Sequence, residues 1–110
     1  MLLLYERERP QPGTPGGAEM FGRVRAFYKE CRDRGILVAS DPLHDPQTAT
    51  TVRIIDDTPM NTDGPFAETT EWLGGYFILE TDKDTAVEMA QRCPSAATGC
   101  VEVRQIMDTS

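Results

Sequence analysis

With 110 residues, 39% of them apolar, the chain has material for one domain around one core. Its 18 acidic against 11 basic residues give a formal charge of -7 and a pI near 4.6, which argues against non-specific binding to nucleic acid or to an anionic membrane surface. Three cysteines without Cys-x-x-Cys spacing, no secretory leader and no run long enough to span a bilayer point to a soluble cytoplasmic protein with reduced thiols.

Met1 to Tyr5 is short and apolar, the pattern of a buried strand. Pro10 to Gly17 is dense in proline and glycine and reads as a loop. From Ala18 the apolar residues Met20, Val24, Phe27 and Cys31 recur at helical spacing, widened by Phe21 and Tyr28, while Arg23, Arg25, Lys29, Arg32 and Asp33 form the wet face. Gly35 supplies a left-handed stop. Ile36 to Ala39 predicts a short strand closed by Ser40-Asp41-Pro42. Thr48 to Ile55 is rich in β-branched residues and predicts another, which Asp56-Asp57-Thr58-Pro59 turns back into Met60 to Thr62 as a hairpin. Ala67 to Trp72 is assigned a helical turn and Tyr76 to Glu80 a strand. Asp82 reads as the N-cap of a second helix with Ala86, Val87, Ala90 and Cys93 facing inward; Pro94 ends it, and Cys100 to Met107 is the last strand.

Strand, helix, strand, hairpin, strand, helix, strand is an α+β order. Two β-α-β crossings split by a hairpin predict a ferredoxin-like antiparallel sheet with two helices on one face, in one domain over residues 1–110. The chain offers no layer for the other face, so a second copy is expected to cover it.

Four residues stand out chemically. His44 is the single histidine, flanked by Asp41 and Asp45, and is the first candidate for proton transfer; the bland alternative is a solvated loop residue. Arg53 lies in the third strand, where it either pairs with Asp63 or Glu68 or holds an anionic ligand. Asp63-Gly64-Pro65-Phe66-Ala67-Glu68-Thr69 reads as a stiff turn anchored by the Phe66 ring, which either locks strand order or presents Asp63 or Glu68 to a ligand. Cys93 and Cys100 are read as small core residues, Trp72 and Tyr76 as packing residues able to line a pocket. Neither a metal nor a cofactor is assigned.

The run from Asp63 to Thr69, followed by Glu71 and Leu73-Gly74-Gly75-Tyr76, resembles the signature of the DGPF group of YCII-related proteins. Ala49-Thr50-Thr51-Val52-Arg53 upstream, and Arg92-Cys93-Pro94 and Gly99-Cys100-Val101-Glu102-Val103-Arg104 downstream, resemble the flanking elements; Thr70 stands where a lysine is common. The resemblance implies a dimeric α+β barrel, in which the sheets of a homodimer pack face to face and enclose pockets for small organic molecules. It also implies either lyase-like, dehydrochlorinase-like acid–base chemistry or a regulatory accessory role, since some DGPF proteins are encoded beside extracytoplasmic-function sigma factors. The histidine–aspartate dyad of the wider group would fall near Val24 and Cys93, and neither position carries the required side chain.

Overall fold

The computed structural model describes residues 1–7, 15–67 and 69–109. Its elements are β1 (Leu2–Glu6), α1 (Pro15–Asp33), β2 (Leu37–Pro42), a 3-10 turn (Pro46–Thr48), β3 (Thr50–Ile55), β4 (Thr58–Asp63), β5 (Trp72–Leu79), α2 (Lys83–Arg92), α3 (Ser95–Thr98) and β6 (Gly99–Val103). Four strands form one antiparallel sheet in the order β2-β5-β1-β6, and β3 and β4 form a separate two-stranded sheet. β1 thus lies inside the sheet between β5 and the edge strand β6, as two interlocked β-α-β units require.

One core holds this together. Leu2 and Leu4 of β1 and Phe77 of β5 share it with Phe27 and Cys31 of α1 and with Met89, Ala90 and Cys93 of α2. Both long helices therefore lie on the same sheet face. Each fully buried Leu, Phe or Met there contributes about 1.5–3 kcal/mol, and Phe27 adds an edge-to-face contact with Phe77 at 5.0 Å between ring centres. Strand alternation sends Leu3, Tyr5, Tyr76, Ile78, Cys100 and Glu102 to the other face. No described helix joins a core on that side.

The expected punctuation is present. Gly35 takes a φ of +74° and donates its N–H to Arg32, ending α1 as a left-handed cap. The Asp82 carboxylate accepts the Thr85 N–H at 2.8 Å and caps α2, which holds its acid below the usual carboxylate range. At the hairpin tip Asp56 and Asp57 both have positive φ, 50° and 63°, making a two-residue turn matched to strand twist.

Several expectations need correction. Of the loop read over 10–17, residues 10–14 lie outside the described part, and Pro15, Gly16 and Gly17 already belong to α1. Proline fits there because a first-turn N–H has no helical partner to lose. β2 runs on to Pro42, tolerated at the end of an edge strand. Thr48 ends the 3-10 turn rather than starting β3, and Thr58 and Pro59 pair within β4 instead of turning. The helical turn read over 67–72 is absent from its described residues, and Trp72 opens β5, whose strand character begins four residues early. Gly74 and Gly75 permit this: a Cβ on Gly75 would sit 3.1 Å from the Asp41 carbonyl. In α2, Met89 rather than Val87 faces the core. The short helix α3 was not anticipated, and β6 stops at Val103.

Candidate functional site

Not every apolar residue of α1 is buried against the sheet. Phe27 and Cys31, in its second half, are buried, whereas Phe21 and Tyr28 are 45% and 39% exposed. Between this helix, β1, β5 and the 3-10 turn lies a cavity of about 750 Å³. Its apolar walls are Met20, Phe21, Val24 and Tyr28 from α1, and Leu4, Trp72 and Phe77 from the sheet. The size matches a drug-sized organic ligand. The spacing Met20, Phe21, Val24, Tyr28 that marked the helix as amphipathic is thus shared between core and cavity.

Charge collects around this space. Glu6, Asp41 and Asp45 belong to the lining and each already accepts a hydrogen bond: Glu6 from the Thr98 hydroxyl at 2.6 Å, Asp41 from the Tyr76 hydroxyl at 2.7 Å, Asp45 from the Gln47 N–H at 2.9 Å. Arg7 and Arg25 also line it, and no ion pair engages them among the described residues. The tyrosine–aspartate bond ties edge strand β2 to β5, and the neighbouring carboxylate pushes the Tyr76 phenol above its usual value. Trp72 is thus a pocket residue, as the alternative reading of it allowed, whereas Tyr76 borders the cavity from a strand position whose side chain lies with Asp41 on the opposite sheet face. Arg25, counted in the wet face, is a pocket residue too; its place directly after Val24 was the available signal.

The residues picked from sequence do not gather at this cavity. His44 is exposed between β2 and the 3-10 turn, outside the lining. Arg53 sits on β3 opposite Met60, exposed, and Asp63 lies at the end of β4 opposite Thr50, also exposed. Glu68 lies outside the described residues. Gly64 has a φ of +98°, and the turn after β4 is pinned by the Gly64 N–H to Ala49 at 2.7 Å and by the Thr51 hydroxyl to the Gly64 carbonyl at 2.8 Å. Phe66 does not anchor it: the ring is 78% exposed, since backbone bonds already fix the turn. Cys93 is buried, and burial pushes its thiol up; Cys100 is exposed rather than core, because strand alternation turns it to the open face. Its thiol is raised by desolvation and by a hydrogen bond to Glu71.

A four-stranded antiparallel sheet, two long helices on one face and a ligand-sized cavity under the first of them define a small mixed α+β domain with a built-in pocket. The chain belongs to the family of the YCII-related domain, whose model matches residues 1–110. A search of curated proteins returned no match. No described helix is long and apolar enough to cross a membrane.

Proposed function

We propose that this protein, a homodimeric member of the DGPF branch, binds a small amphipathic organic anion in the cavity beneath α1. The observation that carries the reading is the half-exposure of Phe21 and Tyr28 around a 750 Å³ space: apolar surface this extensive is ordinarily buried, and a ligand buries it. Arg25 and Arg7 line the cavity and offer their guanidinium groups to an acidic group of the ligand. In the homodimer the open sheet faces meet, covering Leu3, Tyr5 and Ile78. The role is ligand binding, as in a regulatory or accessory module, rather than the family's dyad chemistry. Val24 and Cys93 stand at the dyad positions, and His44, the proton carrier expected from sequence, is not part of the cavity.

The test uses Trp72, the single tryptophan, which lines the cavity. Anilinonaphthalene sulfonate carries an apolar ring system and one negative charge. Titrated into native protein, it is expected to quench Trp72 saturably while gaining fluorescence, and Arg25→Glu is expected to weaken it. A probe that leaves Trp72 unchanged overturns the reading, as does one bound equally by Arg25→Glu.

A further inference from the structure

Two opposite charges share the cavity and do not meet. Arg25 stands on its helix wall and Glu6 on its sheet wall. Among the described residues neither forms an ion pair, with the other or with Arg7. The Glu6 side is built from two elements. β1 pairs with β6 in an unbroken register, so alternation puts Glu6 on the helix-covered face with Leu2 and Leu4. Gly99, its partner in β6, brings the end of α3 against the strand; a Cβ there would overlap the Tyr5 carbonyl. From α3 the Thr98 hydroxyl donates to Glu6 Oε2 at 2.6 Å, and no described residue donates to Oε1. Ser95, at the start of α3, lines the cavity as well and is only 2% exposed. Its N–H and its hydroxyl both donate to the Cys93 sulfur, so the hydroxyl has lone pairs left to offer. The other acids of the lining are differently engaged. Asp41 bonds Tyr76 on the opposite sheet face, and Asp45 caps the 3-10 turn through the Gln47 N–H.

We infer that Glu6 and Ser95 form an ammonium subsite, so that the ligand of this cavity is a zwitterion with an amino group at the sheet wall, an apolar body, and an acidic group at Arg25. The inference rests on the cavity binding proposed above and adds a second charge to the ligand. An ammonium carries three donors and no acceptor, the complement of a carboxylate and of a hydroxyl whose own proton is already engaged. Hydrogen bonds between ionised groups are roughly twice as strong as neutral ones, so Glu6 favours an ammonium over a hydroxyl at the same place. Charges in an apolar space are costly without partners. Glu6 and Arg25 stand on opposite walls of one cavity, and a single guest bearing both complements satisfies the two together.

The experiment is displacement of anilinonaphthalene sulfonate by three benzoates of similar size: 4-(aminomethyl)benzoate, 4-(hydroxymethyl)benzoate and 4-ethylbenzoate. Wild type is expected to bind the ammonium compound roughly tenfold or more tightly than the ethyl compound, as a hydrogen bond to a charged group allows. The hydroxymethyl compound is expected to fall between them. Glu6→Gln keeps the side-chain shape and an acceptor for Thr98. It is expected to lose the ammonium preference while binding 4-ethylbenzoate and the sulfonate at least as tightly as wild type. Asp57→Asn removes the same charge at the hairpin tip, outside the lining, and is expected to keep the preference, which separates the subsite from the acidity of the whole chain. Equal displacement by the ammonium and ethyl compounds in wild type, or displacement by neither, overturns the zwitterion and leaves the cavity standing. A preference that survives in folded Glu6→Gln does the same. Failure of the sulfonate to quench Trp72 in wild type overturns the cavity and the zwitterion with it. The wild-type ranking decides even where the far-UV spectrum shows Glu6→Gln to be unfolded.

Discussion

Two phenylalanines on one helix allow the core-facing and cavity-facing flanks of α1 to be told apart by measurement. Phe27 is 3% exposed and stacks edge-on against Phe77; Phe21, less than two turns earlier, is 45% exposed and lines the cavity. Truncating a fully buried phenylalanine costs about 3–5 kcal/mol through lost transfer energy and the void left behind, so Phe27→Ala is expected to remove a large part of a total stability of roughly 5–15 kcal/mol. Phe21 has nearly half its surface in water already, and its void opens into an existing space. Phe21→Ala is therefore expected to cost about 1–2 kcal/mol, scaling with the area buried. Urea denaturation followed by circular dichroism gives both values, provided the slope m is unchanged. Binding of anilinonaphthalene sulfonate should show the reverse order, weakened by Phe21→Ala more than by Phe27→Ala at temperatures where both are folded. If Phe21→Ala destabilises as much as Phe27→Ala, the cavity is closed in solution and the division is refuted.

Four further outcomes follow from local geometry. In an ultraviolet titration one of the three tyrosines should ionise above the usual value of 10 because of Asp41, and Asp41→Ala should bring it back. Cys100 should react first with a disulfide reagent on native protein, whereas Cys31, fully buried with its thiol pushed up to about 11, and Cys93 should react only on unfolding. The raised Cys31 value also sets a sign. Its stabilisation is whole below the ordinary thiol value of 9.0 and drains away as pH rises toward about 11, so midpoint temperatures should fall in that window and fall less in Cys31→Val. Gly99→Ala should fail to fold, since a Cβ there would overlap the Tyr5 carbonyl. Gly22→Ala, within α1 and with open space around it, should instead stabilise by roughly 0.5–1 kcal/mol, both read by thermal melts.

The fold was legible wherever local chemistry and tertiary demand agreed. The stripe of α1, its Gly35 stop, the Asp82 cap and the β-branched run of β3 each carry their own signal, and the element order then leaves few topologies. Boundaries failed where a distant partner overrode composition. Gly74 and Gly75 look like a break, yet β2 and β1 on either side hold them in a strand. Pro59 looks like a turn, yet two positive-φ aspartates make the turn without it. The candidate site was less legible. His44, Arg53 and Asp63 were chosen for what their side chains can do, and the fold sets all three at the exposed periphery. The cavity is walled by ordinary-looking apolar residues, and periodicity cannot separate a stripe that fills a core from one that lines a space. Position around the helix distinguishes them: Phe21 shares with Tyr28 the flank that borders the cavity, and Phe27 shares the core face with Cys31.

The central position of β1 has a consequence for how the protein is made. Leu2 pairs with Phe77 on one side and with Val103 on the other, so β1 lies between two strands that follow it far along the chain. A growing chain must carry Leu2-Leu3-Leu4 without a partner until most of the sequence has left the ribosome. Contacts so distant in sequence close slowly. The sheet cannot close until β6 is available, and until then Leu2-Leu3-Leu4 lacks the strands that flank it on both sides.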